Sequence, residues 1–169
     1  DDNALAKLPA DLGNNVVAIS VGQSNDDKYT IASALLGDGS VRLWTSGFDE
    51  ETKSLSVGLK DIISIASGEG VALFLDSNGT VFRFGSRYGA AGQFLPLALP
   101  KRVVAITLSS KPGYALCEDG SVVNIPEEPH IDRIAFKPPL RYIAVVASPA
   151  AALATDGNWY VEKVSDPSG

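Results

Sequence analysis

Residues 62–92 read IISIASGEGVALFLDSNGTVFRFGSRYGAAG, and they hold one complete copy of a pattern that the rest of the chain repeats more loosely. Ile62–Ala66 and Val71–Leu75 are apolar runs, Ser77-Asn78-Gly79-Thr80 is a turn, and Thr80–Phe84 alternates before a glycine-rich exit. Short apolar runs bounded by Gly, Asn and Ser read as strands. Both residues of Asn78-Gly79 tolerate the positive φ of a tight primed turn, so the stretch predicts three strands in succession.

Three more turns line up with this one: Gly37-Asp38-Gly39-Ser40, Glu118-Asp119-Gly120-Ser121 and Thr155-Asp156-Gly157-Asn158. From Gly39 to Gly79 to Gly120 to Gly157 the steps are 40, 41 and 37 residues. An apolar strand precedes each turn (Ile31–Leu36, Val71–Leu75, Tyr114–Cys117, Ala151–Ala154) and an alternating one follows (Val41–Trp44, Val81–Phe84, Val122–Ile125, Trp159–Val164). Upstream lies a third strand (Val16–Ser20, Ile62–Ala66, Val103–Leu108, Tyr142–Ala147), and before it a weaker fourth (Ala4–Leu8, Leu55–Val57, Phe94–Leu99, Ile131–Phe136). Units of about 4–45, 55–85, 94–125 and 131–164 then fill one repeat domain over 1–169. A period of this length with four strands per unit predicts an all-β fold, a β-propeller or partial propeller of about four four-stranded blades. Pro9 inside Leu5–Leu12 argues against a long helix there.

Composition supports this reading and narrows the partners. The 169 residues are 45% hydrophobic and 20% charged, with 16 Gly and 10 Pro, as expected of a globular chain rich in turns. A net charge of −6 argues against direct nucleic-acid contact and against anionic membranes, and no apolar run reaches the length of a membrane span. Cys117, the sole cysteine, reads as a buried strand residue that can form neither an internal disulfide nor a cysteine-based metal site; single-cysteine usage leans toward an intracellular setting. Asp1 and the absence of Met suggest a processed protein or a piece of a longer one.

The best unit resembles the repeat of the regulator of chromosome condensation family: a small-Gly segment, an apolar strand, an Asx-Gly turn, an aromatic-x-aromatic-Gly strand end and a Gly-rich loop. Ala66, Gly68, Leu73, Leu75, Asn78, Gly79, Phe82, Phe84, Gly85, Gly89 and Gly92 fill those slots. Val71 stands where the family often has His, and the glycine-rich exit is missing after Trp44, Ile125 and Val161. Residues 34–44, ALLGDGSVRLW, look instead like the end of a tryptophan-aspartate repeat, the second choice; both families are propellers. The first resemblance implies about seven blades in a full ring, so four either close as a small ring or belong to a larger one. It also implies scaffold roles or guanine-nucleotide exchange on a small GTPase, for which family members use an inserted hairpin not visible in this sequence.

No catalytic, cofactor or metal motif emerges. His130, with Asp132 on the same face of an extended strand, lacks an evident pocket and reads as a loop residue. There is no Gly-x-Ser-x-Gly elbow, and Gly68-Glu69-Gly70 lacks the third glycine and following helix of a dinucleotide site. Asp26-Asp27, Asp49-Glu50-Glu51 and Glu127-Glu128 lack the alternating pattern of a calcium loop and read as solvated charge. Asn78-Gly79-Thr80 is formally a glycosylation sequon whose residues the turn already explains.

In an up-and-down blade the connections of first to second and third to fourth strand share one rim. That rim collects Gln23–Thr30, Ser46–Ser54, Ser86–Gln93, Ser109–Gly113 and Pro126–His130. It carries Asp26, Asp27, Tyr29, Phe48, Asp49, Glu50, Arg87 and Tyr88, whose aromatic and charged groups suit a protein partner with a basic surface. The expectation is a non-catalytic interaction module or scaffold. Alternatives are nucleotide exchange, an enzyme with a site at the propeller axis, or a structural half-propeller completed by self-association or a second chain.

Overall fold

The computed structural model describes residues 12–23, 30–46, 55–85, 94–108, 113–125, 134–136, 141–147 and 150–161. The strands are β1 (Val16–Gln23), β2 (Thr30–Leu36), β3 (Val41–Ser46), β4 (Leu55–Val57), β5 (Ile62–Gly68), β6 (Val71–Asp76), β7 (Val81–Gly85), β8 (Leu95–Pro96), β9 (Val103–Thr107), β10 (Gly113–Cys117), β11 (Val122–Ile125), β12 (Ile134–Phe136), β13 (Tyr142–Ala147), β14 (Ala150–Ala154) and β15 (Trp159–Val161). They form antiparallel meanders in the orders β1-β2-β3-β4, β5-β6-β7-β8 and β9-β10-β11-β12, with β13-β14-β15 as the fourth sheet. Each sheet is a blade, packed on the next through its innermost strand.

The strands fall where the periodicity predicts, but the outer ones join different neighbours. Leu55–Val57 pairs with β3 and closes the first sheet, Leu95–Pro96 pairs with β7, and Ile134–Phe136 pairs with β11. A repeat fixes a period and not its starting point, so spacing alone could not assign these strands. Ala4–Leu8 lies outside the described residues.

The four Asx-Gly turns also differ in type from the primed turns expected. Leu36 and Ser40 face each other across a three-residue loop, Gly39 N–H donates to Leu36 O at 2.9 Å, and only Gly39 takes a positive φ, 77°. This is a type I turn closed by a left-handed glycine, repeated at Gly79, Gly120 and Gly157. A carboxylate locks each one: Asp38, Asp119 and Asp156 Oδ1 accept the amides of Ser40, Ser121 and Asn158 at 2.9 Å. In the second blade Asp76 Oδ1 instead accepts from Asn78 and Thr80 at 3.0 and 2.7 Å. The primed turn occurs at Glu69-Gly70, where both residues have positive φ between the paired Gly68 and Val71.

The same turns join the blades. Ile62 N–H donates to Gly39 O at 3.0 Å, Val103 N–H to Gly79 O at 3.3 Å, and Tyr142 N–H to Gly120 O at 2.8 Å. The turn glycine of one blade thus holds the first residue of the next blade's innermost strand. Apolar side chains fill each joint: Ile31, Leu35, Val41 and Leu43 face Ile62 and Phe74; Val71, Leu73, Leu75 and Val81 face Val103 and Ile106; Leu116 and Val122 face Tyr142 and Ala152. Cys117 lies buried in the second joint, where burial pushes its thiol above the ordinary range.

Three turn carboxylates set an acid limit. The Lys101 ammonium, then the Ser121 hydroxyl and amide, hold Asp119 well below the carboxylate range. Asp38 is lowered by the Ser40 hydroxyl and amide, and Asp156 by the Asn158 amide and the Tyr160 hydroxyl. A carboxylate lowered by folding contributes stability that is present above its unfolded value of 3.8 and lost as pH falls through its folded value. Urea midpoints should therefore show no loss from these groups between about pH 5 and 7 and a decline below about pH 4. A decline complete above pH 5 would contradict this origin.

Candidate protein interface

The meander order places the β1–β2, β3–β4, β5–β6, β7–β8, β9–β10 and β11–β12 connections on one rim and the Asx-Gly turns on the other. Gln23 pairs with Thr30 and Thr30 with Ser46, so the connections 24–29 and 47–54 leave neighbouring strand ends of one blade. Strands in a sheet lie about 4.8 Å apart, which brings the roots of both connections close together. The connection carrying Arg87 and Tyr88 leaves Gly85 of the adjoining blade, beside Val71. Asp26, Asp27, Tyr29, Phe48, Asp49, Glu50, Arg87 and Tyr88 themselves lie outside the described residues, as does His130.

On the opposite rim, polar side chains are committed to the turns. Lys101 forms an ion pair with Asp119 and donates to Ser121 Oγ at 3.2 Å. Arg102 donates to the carbonyls of Asn78 and Ser77 at 3.2 and 3.0 Å, across the joint between the second and third blades. Its 3.6 Å pairing with Glu118 is solvent-exposed and contributes little. These residues were not singled out from sequence; the available signal was the basic residue directly before a blade's first strand, at Arg102 and again at Arg141.

The inner strands β1, β5, β9 and β13 contain no carboxylate, imidazole, amine or guanidinium. Among the described residues no group of three His, Cys, Asp or Glu could hold a metal ion. No described helix is long and apolar enough to cross a membrane.

No protein-family model and no curated protein sequence matches the chain. Solved structures do. Human WBSCR16 superposes with a TM-score of 0.69 at 15% identity, over 92% of this chain and 49% of its own. Prp20p from Saccharomyces cerevisiae, whose structure was described with its binding properties to Gsp1p and histones, gives 0.65 at 20% identity over 91% of this chain and 46% of its own. BBS1N in complex with ARL6DN gives 0.61 at 13% identity over 92% and 53%. The chain spans about half the length of the solved structures it matches. At these identities the likeness is one of fold, and the fold is that of a β-propeller, with four blade-like antiparallel sheets among the described residues.

Proposed function

We propose that this chain is a non-catalytic protein-binding module or scaffold whose loop rim, through Asp26, Asp27, Tyr29, Phe48, Asp49, Glu50, Arg87 and Tyr88, meets a basic protein surface. The observation that carries the reading is the division between the rims. On the turn rim Asp38, Asp119, Lys101 and Arg102 are spent on internal hydrogen bonds, whereas the polar connections 24–29 and 47–54 leave neighbouring strand ends on the other. A rigid sheet scaffold presenting variable loops is a common basis for recognition. Protein complexes recur among the structural neighbours: yeast RCC1 (Prp20) was solved with Kap60, and BBS1N with ARL6DN. Those partners belong to those proteins, and fold alone does not transfer them.

The test is charge reversal. A chain carrying Asp26→Lys, Asp27→Lys, Asp49→Lys and Glu50→Lys should retain its thermal midpoint and lose basic proteins that the wild-type chain captures. Unchanged capture, compared side by side by mass spectrometry, would overturn the assignment to this rim.

A further inference from the structure

The turn between β6 and β7 departs from the other three in its side chains. Asp38, Asp119 and Asp156 stand directly before their turn glycines, and each accepts the amide two residues on at 2.9 Å. Asp38 and Asp119 also accept the hydroxyls of Ser40 and Ser121 at 2.6 Å, and Asp156 accepts that of Tyr160 at 2.7 Å. Asn78 holds the same place before Gly79, but here Asp76 accepts the amides of Thr80 and of Asn78 itself, at 2.7 and 3.0 Å. The Asn78 side chain is left exposed, with no hydrogen-bond partner among the described residues. Closure of the turn accounts for Asp76 and Gly79 and leaves the side-chain amide of Asn78 without a structural task.

A free asparagine amide followed by glycine is a reactive pair. The Gly79 nitrogen reaches the Asn78 side-chain carbonyl carbon by closing a five-membered ring, and glycine, having no Cβ, does not obstruct the approach. Every other asparagine of the chain is followed by a residue with a Cβ in that path. Attack requires the Gly79 nitrogen to lose its proton, and the resulting charge is shared with the Asn78 main-chain oxygen across the peptide bond. Arg102 Nε donates to that oxygen at 3.2 Å, so a cation stands where the charge develops. The Gly79 N–H must first leave Asp76 O, 3.0 Å away, but Gly39, Gly120 and Gly157 make the same bond, so the four turns are matched in this respect.

We infer that Asn78 is a modification site, at which the turn converts spontaneously through a cyclic imide to an isoaspartyl linkage that weakens the joint between the second and third blades. A base takes the Gly79 proton, the nitrogen bonds to Asn78 Cγ, and the side-chain nitrogen takes up a proton and leaves as ammonia. Water then adds to one imide carbonyl and opens the ring. Opening at the former main-chain carbonyl leaves a carboxylate there, beside Arg102, and routes the chain through Asn78 Cβ and Cγ. Water is consumed, ammonia is released, and nothing is oxidised or reduced. The three Asp-Gly turns resist this closure, because their hydrogen bonds hold Asp38, Asp119 and Asp156 ionised and a carboxylate is a poor target for an anionic nitrogen.

The extra main-chain methylene falls between two anchors of one joint. Arg102 donates to Ser77 O at 3.0 Å and Val103 N–H donates to Gly79 O at 3.3 Å. A lengthened turn cannot keep both, since even a Cβ on Gly79 would lie 2.9 Å from Val103 O. The site is on the turn rim and does not depend on the reading of the loop rim.

The folded chain is incubated in mildly alkaline buffer and sampled by peptide mass spectrometry, with labelling by an isoaspartyl methyltransferase to identify the linkage. The peptide containing Asn78 should gain the mass difference between an amide and an acid and accept the methyl label, ahead of peptides containing the other asparagines or the three Asp-Gly turns. The converted fraction, separated by ion exchange through its added negative charge, should unfold at a lower urea concentration than fresh chain. Asn78→Gln, which would need a six-membered ring, should show neither the mass change nor the label and should keep its urea midpoint through the same incubation. An Asn78 amide that survives while other asparagines convert would overturn the site. A converted fraction as stable as fresh chain would overturn its effect on the joint.

Discussion

Phe74→Ala should cost about 3–5 kcal/mol, the range for removing a fully buried aromatic side chain. Phe74 has no exposed surface and sits in the first joint with Ile31, Leu35, Val41 and Leu43. Its ring meets Phe94 edge-on at 5.6 Å, and Phe94 in turn lies 5.0 Å from Phe84. Alanine removes the centre of this group, and the strand backbones around it are held by their ladders, so the site can collapse only in part. The loss is read from urea unfolding followed by far-UV circular dichroism. A cost below about 1 kcal/mol would mean that the joint repacks freely, contrary to the behaviour of a close-packed core.

Gly22→Ala should be nearly as damaging, at about 3 kcal/mol, the upper end of the usual overpacking range. A Cβ there would fall 2.3 Å from Gly68 N and 2.5 Å from Gly68 Cα. The obstacle is backbone, with no side chain able to swing away, so inclusion of one methyl must part the inner strands of the first two blades. Gly58→Ala is the matched control, since nothing lies within 4 Å of its added methyl. Equal urea midpoints for the two variants would contradict the close approach of β1 and β5.

The repeat was legible because its turns need special residues. A left-handed position before a new strand selects Gly, and the amides of the turn select an Asp or Asn nearby, so Gly39, Gly79, Gly120 and Gly157 mark the blades in any reading of the chain. The turn type was less accessible, since Asx-Gly serves both a primed turn and the type I turn with a left-handed glycine that forms here. Leu55–Val57 could pair with the strand before it or the strand after it with the same spacing. Contacts between blades left little trace: Gly22 looks like an ordinary strand-end glycine until Gly68 is seen against it. The proposed interface is drawn from composition, through Asp26, Tyr29, Phe48 and Arg87, which lie outside the described residues; the structure describes only the strand ends beside them.

The hydrogen bonds that the carbonyls of Gly39, Gly79 and Gly120 accept from the next blade reach only across neighbours in the chain. Assembly is then a zipper and not a hoop: any joint can nucleate, each new blade adds to a finished edge, and no step within one chain waits for distant segments to find each other. Such a chain behaves as a linear polymer of joints, in which gain or loss of a blade disturbs one boundary and leaves the others as they were.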